Sequence, residues 1–390
     1  MRGNDFHIHT SFCDGKNTPE EIVKAAIGKY MHAIGFSVHS YTPFDESYCI
    51  PREKMEEYIA EIRRLREAYK DEIRIFCGAE RDLYAPIPEG DLDYTIGSLH
   101  YVYKDGVYYT VDESADALRK AIAEGFGGDP MAFAEAYFSE YARLGENKPD
   151  ILGHFDLLTK FNENGVIFDE EDPRYIAAAK KALDSLLPLG IPFEVNVGAM
   201  SRGYRTTPYP AARWIGYIAE RGGKLIYSSD AHSTDGLQHE YYEVEELITE
   251  CGALGFVSLF ESPLTRDLRA HMTPENCHLA EELIYVIESA GCLTLEDLKE
   301  IERQNFTVNG RLLSRKEQLE RCAKGHLHSY WDYDGRDLDE INEISSLKKS
   351  LTSSISDEEK IYNDIRLNDI LGNECSFPAV AYGLVISGKY

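Results

Sequence analysis

Residues 4–15 read NDFHIHTSFCDG, with His7 and His9 two apart in an apolar setting. A β-strand points alternate side chains to opposite faces, so in an extended chain both imidazoles lie on one face. Two histidines aimed alike at the end of a first strand can grip a cation. The pair alone is weak evidence, because a strand-end histidine is commonly a hydrogen-bonded core residue. Its meaning depends on what the rest of the chain sends to the same place.

The chain continues as short β-like runs separated by helical patterns. Strands are expected at Asp5–Thr10, Ala33–His39, Ile73–Glu80, Tyr94–Val102, Ile151–Phe155, Pro192–Val197 and Lys224–Asp230, with an eighth candidate at Gly255–Phe260. Thr18-Pro-Glu-Glu opens the first helix with an N-cap, proline at the first helical position and acids in the first turn. Further helices are expected over Arg52–Tyr69, Ala115–Ala123, Pro130–Leu144, Pro173–Leu187, Ala211–Gly222 and Tyr241–Cys251. Repeated strand–helix units predict a parallel sheet, and seven or eight of them favour a barrel. After about Glu261 helical patterns dominate, at Glu275–Ala290, Thr294–Asn305 and Ser314–Cys322. The expected organisation is therefore an α/β barrel over 1–261 and a mostly helical C-terminal extension over 262–390, partly flexible near Ser345–Glu358.

Barrel chemistry gathers at the C-terminal ends of the strands. There the predicted strands place His7 and His9, His39, Glu80, His100, His154, and Asp230 with His232. Of twelve histidines in the chain, six fall at these ends. Imidazole and carboxylate donors together suit Zn, Fe or Mn, and a carboxylate can bridge two ions. The coincidence predicts a cluster of ions at one barrel mouth. His326 and His328 repeat the His-x-His spacing but lack the strand-end setting, so no site is expected there.

Totals narrow the function. The chain has 390 residues and a hydrophobic fraction of 43%, enough for a sizeable core. Lys+Arg number 41 against Asp+Glu 68, a net charge of −27, which disfavours nucleic acid and anionic membranes as partners. Eight scattered cysteines without a CxxC pair point to free thiols in a reducing compartment. No apolar run is long enough to span a membrane and no signal peptide is read, so the expected location is the cytoplasm.

The pieces HIHT, SVHS, GAE, GSLHYV, GHFD and SSDAH, in that order, resemble the PHP (polymerase and histidinol phosphatase) superfamily over about Met1–Glu261. DFHIHTSFCDG, GFSVHSYTPF, YTIGSLHYV and FEVNVGAMSRGYRTTPYP are most similar to its histidinol-phosphate phosphatase branch. The resemblance implies a distorted, TIM-like (β/α)7 barrel holding two or three divalent ions. By motif, His7, His9, Glu80 and Asp230 would hold the first. Glu80 would bridge to a second held by His100 and His154, and His39 and His232 would hold a third. Where family members often carry a further histidine ligand, this chain has Cys13-Asp14-Gly15, and Asp14 is the candidate substitute.

The implied reaction is phosphate monoester hydrolysis, with a metal-bridging hydroxide attacking phosphorus and ions neutralising the phosphoryl oxygens. Arg202 and Arg205, in a glycine-containing loop after the sixth strand, are expected to bind phosphate, and Ser98 to donate to it. Arg52 and Arg81 are weaker candidates. Asp230, His232 and Arg202 are the catalytic candidates; the general acid is left open. Glu194 and Asn196 suit either a substrate contact or a structural hydrogen bond. The substrate expected is L-histidinol phosphate. The alternatives are another small phosphate ester or phosphodiester, and a metal-bound regulatory module without catalysis.

Overall fold

In the computed structural model the opening strand β1 (Asn4–Ile8) is followed by α1 (Pro19–Gly28), β2 (Ala33–His39), α2 (Met55–Ala68), β3 (Arg74–Asp82) and β4 (Tyr94–Ser98). A hairpin, β5 (Tyr101–Lys104) and β6 (Val107–Thr110), precedes α3 (Ala115–Gly125) and α4 (Pro130–Ala142). Then come β7 (Ile151–Leu152), α5 (Pro173–Leu186), β8 (Phe193–Asn196), α6 (Gly198–Ser201), α7 (Ala212–Glu220), β9 (Leu225–Ser228) and α8 (Tyr241–Glu250). The structure describes residues 3–290, 294–308, 310–327, 338–371, 373 and 375–390. They form two compact units, Met1–Leu259 and Phe260–Tyr390.

The first unit is a seven-stranded parallel sheet in the order β1-β2-β3-β4-β7-β8-β9. It nearly closes on itself: the His9 amide donates to Ala231 O at 2.9 Å, and the Ala231 amide donates to His7 O at 3.3 Å. The expected barrel is present. Local signals set its helices: Thr18 caps α1 in a reciprocal capping box with Glu21, and Asp129 and Asp172 cap α4 and α5, each followed by proline.

Tyr94 fills the space between strands. Its hydroxyl donates to Phe6 O at 2.7 Å and to Phe36 O at 3.0 Å. A Cβ on Gly35 or Gly78 would lie 2.4 Å from its ring or hydroxyl, so glycine makes room for it on β2 and β3.

Three expectations are corrected. Gly255–Phe260 is not a strand; one bond, Val257 N–H to Leu225 O at 2.8 Å, lays it beside β9, whose far end meets β1 instead. The strand expected to run from Tyr94 to Val102 stops at Ser98, because the Asp82 carboxylate captures the His100 amide at 2.8 Å and β5 turns away into the hairpin. The fifth and seventh strands are short, so His154, Asp230 and His232 stand on the loops beyond them.

The second unit is helical: α9 (Pro263–Ala270), α10 (Cys277–Ala290), α11 (Leu295–Asn305), α12 (Arg315–Leu327), α13 (Leu338–Leu351), α14 (Asp357–Leu371) and α15 (Pro378–Ile386). Leu268, Leu279, Leu283, Ile287, Leu298, Ile365 and Phe377 form its buried core. Of the stretch 345–358, expected to be partly flexible, residues up to Leu351 are helical, held by packing of Ile344 and Leu351 with Ala323 and Leu367. His328 lies outside the described residues.

Candidate metal centre

Strand alternation and parallel register bring the first donors together. His39 pairs with Glu80 across β2 and β3, and Glu80 pairs with Ile96, two residues before the end of β4. His7 and His9 leave β1 on the same face, both fully buried. Three groups of side chains then have ligand atoms within 4.8 Å of one another: His7, His9 and Asp230; His39, Glu80 and His100; and His9, Asp14, His39 and His232. His154 joins through Nε2, 2.9 Å from Glu80 Oε1. All nine expected metal-binding candidates therefore surround one barrel mouth.

Glu80 stands at the centre. Its Oε2 lies 3.2 Å from His7 Nε2 and 2.9 Å from His39 Nδ1, and its Oε1 3.3 Å from His100 Nε2. Burial opposes its charge, yet His39, His7 and His100 hold the carboxyl well below the usual range. Asp230 behaves likewise: burial raises it, and Arg202, then His7, pull it well below. His9 is pushed down to about 3 by burial, with His232 and His39 adding to the effect, so it stands neutral with a free lone pair.

The donors fit cations. The buried atoms His7 Nε2, His9 Nε2 and Glu80 Oε2 make no hydrogen bond. Such atoms are rare unless something else satisfies them. Glu80 and Asp230, two buried carboxylates held ionised at the same mouth, place negative charge where a divalent ion would sit. Asp14 brings Oδ2 to 3.2 Å from His232 Nε2 and Oδ1 to 3.8 Å from His39 Nε2.

The loops are shaped for this. Asp230 has a left-handed backbone, φ 48°, uncommon for a non-glycine residue. That turn, not strand continuation, carries Asp230 and His232 into the mouth. A Cβ on Gly198 would come within 2.5 Å of Asp230 Oδ2, so only glycine leaves room for this carboxylate.

The expected substrate contacts divide. Arg202 is at the mouth: Nη2 donates to Asp230 Oδ2 at 3.1 Å, Nη1 donates to Asp230 O at 3.0 Å and lies 2.7 Å from His232 Nδ1. Arg205 has a structural place instead. It is buried, donates to Thr159 and Thr207, and lies over the Tyr209 ring at 5.1 Å. Ser98 is fully buried beneath the mouth, where a Cβ on Gly153 would meet its Oγ at 2.5 Å. Arg81 donates to Ala85 O and Pro86 O of its own loop, and Arg52 pairs with Glu89 on the surface.

Sequence reasoning missed several neighbours. Asp82 ties the His100 amide; its signal was the spacing of two from Glu80, which puts both on one strand face. Tyr48 packs edge-on against His39, ring centroids 4.8 Å apart. Lys160 donates to Asp112 O at 2.8 Å and lies 3.3 Å from Asp112 Oδ2; these two come from separate loops, and nothing local pairs them. Of the alternatives left open for Glu194, the structure has the hydrogen bond: its Oε1 lies 2.6 Å from His7 Nδ1, both fully buried.

Fold and site together define a parallel α/β barrel with a metal-capable mouth. Residues 5–197 match the model of the PHP domain, and this part of the chain belongs to that family. It is 25% identical over 287 residues to a Schizosaccharomyces pombe protein named "Probable histidinol-phosphatase", covering 66% of this chain and 89% of the relative. It is 25% identical over 265 residues to the histidinol-phosphatase of Bacillus subtilis, covering 62% of this chain and 97% of that one. A solved structure of a candidate histidinol phosphatase from Listeria monocytogenes superposes with a TM-score of 0.54 at 20% identity, covering 62% of this chain and 99% of the other, and shares the fold.

Proposed function

We propose that this chain is a metal-dependent phosphomonoester hydrolase acting on L-histidinol phosphate, a cytoplasmic enzyme of histidine biosynthesis. The observation that carries this is the convergence of nine imidazole and carboxylate side chains on one barrel mouth, with three buried ligand atoms left without hydrogen bonds. The names of the relatives supply the substrate.

His7, His9 and Asp230 would hold one ion, Glu80, His100 and His154 a second, with Glu80 shared between them, and Asp14, His39 and His232 a third. The donor set suits Zn, Fe or Mn. Bound divalent ions supply Lewis acidity toward phosphoryl oxygens and lower the pKa of water to about 7. The residues supply the rest. Glu80 and Asp230 keep fixed negative charge where cations must sit. Arg202 keeps donor hydrogens beyond those given to Asp230 and aims them at the mouth, where a phosphate oxygen accepts them. Tyr48 walls one side against water. Among the described residues, the helical second unit carries none of the metal-capable groups, which supports a packing or oligomerisation role for it.

The test is phosphate release by metal-replete protein from histidinol phosphate beside sugar, amino-acid and nucleotide phosphates. A strong preference for histidinol phosphate is expected. Equal or better turnover of another ester would reassign the substrate; no hydrolysis with ions bound would remove the catalytic reading.

A further inference from the structure

Glu194 sits on β8 with no exposure, one layer behind the donors. Its two oxygens are used differently. Oε1 is 2.6 Å from His7 Nδ1. Oε2 accepts from the His154 amide at 3.0 Å and from Asn196 Nδ2 at 3.1 Å. One carboxylate thus reaches two candidate ligands that leave different strands, β1 and β7. An ionised carboxylate only accepts, so the His7 proton belongs on Nδ1. The other ring nitrogen, Nε2, which lies 3.2 Å from Glu80 Oε2 and 3.8 Å from Asp230 Oδ1, is then the one that would face an ion.

We infer that Glu194 is a positioning residue: by holding the proton on His7 Nδ1 and fixing the His154 backbone, it orients two donors of the mouth toward their ions. This rests on the metal reading above. Partners that orient a ligating histidine in this way commonly contribute ten- to a hundredfold in metal affinity.

The isostere makes the claim sharp. In Glu194→Gln the amide oxygen belongs opposite the two donors His154 N–H and Asn196 Nδ2. The amide NH2 then faces His7 Nδ1. Two donors would meet, and relief requires moving the proton to Nε2, the atom that must stay free. Volume and packing are unchanged, so a purely structural role predicts little loss.

The measurement is Zn2+ or Mn2+ affinity of metal-stripped full chain, by competition with a chelator. Glu194→Gln is expected to weaken binding about ten- to a hundredfold. In a His7→Ala background it is expected to add much less. Wild-type affinity in Glu194→Gln, or an equal loss with His7 absent, overturns the inference while leaving the metal reading intact. Absence of ion binding by wild-type protein overturns both. A second measurement needs no variant: 15N spectra of histidine-labelled, Zn-loaded wild type are expected to show a proton on His7 Nδ1. A bare Nδ1 overturns the inference even if the variant fails to fold.

Discussion

Asp230 is held in a left-handed backbone that costs an ordinary residue roughly 1–2 kcal/mol. Such a conformation persists where its surroundings over-determine it. Arg202 grips both its carbonyl and its carboxylate, and Gly198 leaves it space. Under the proposed function Arg202 would have two duties, to fix Asp230 and to meet phosphate. Arg202→Ala removes charge-assisted bonds of about 1.5–3 kcal/mol each, so kcat/KM for the phosphate ester should fall at least about tenfold, chiefly through KM. Arg202→Lys should recover little, since an ammonium does not reproduce the planar fork. Steady-state kinetics decide it: an unchanged KM removes Arg202 from the substrate. At this scale the convergence of the imidazoles and carboxylates was legible in the sequence, and the partners of the two loop arginines were not. Histidines at strand ends follow from a period of two. Whether Arg202 or Arg205 turns inward depends on Thr159 and Thr207, which no spacing in the loop reveals.

Among elements, the packing of β4 against its neighbours carries a prediction of its own. Gly35 and Gly78 yield their side-chain space to Tyr94. Gly78→Ala places a methyl inside that ring's volume and should destabilise the first unit by about 1–3 kcal/mol, read by denaturant titration. A change near zero would mean that the ring has somewhere else to go. In the second unit, His278 Nδ1 lies 2.6 Å from Asp369 Oδ1, and this bond raises the histidine pKa against partial burial. A group whose folded pKa is raised stabilises fully below its unfolded value and loses that contribution as pH rises through the folded one. Comparing wild type with His278→Gln at pH 5.5 and 8.5, the difference in melting temperature should be larger at the lower pH. An equal or reversed difference would rule out the pair as a contributor. Element boundaries were legible where capping residues stand, as at Thr18, Asp129 and Asp172. They were illegible at Ser98, because the break after β4 is made by Asp82, a residue on another strand. They were illegible again at Gly255, where an extended segment gains one backbone bond and no ladder.

Across the whole molecule the charge is −27, and several carboxylates are buried together at the mouth. Ions bound only by the folded state stabilise it by mass action, about 2.7 kcal/mol for each site at a hundredfold excess over Kd. Chelation should therefore abolish phosphatase activity and lower the melting temperature, and both should return with Zn2+ or Mn2+. Retained activity in protein verified to be free of metal would end the proposal. No helix among the described residues is long and apolar enough to cross a membrane. The alternation of strands and helices announced the barrel. The second unit was legible only as helices, since its described residues carry no constellation that a chemical reading can use.

The contact of β1 with the loop after β9, through Ile8 and Ala231, has a temporal side. His7 and His9 leave the ribosome early, whereas Asp230 and His232 follow more than two hundred residues later. At about 5–20 residues per second, the first histidines wait roughly ten to forty-five seconds for their partners. If the mouth holds ions as proposed, a nascent chain offers a scavenging cation only a fragment of the final cage, and loading would belong to the finished barrel and not to its synthesis.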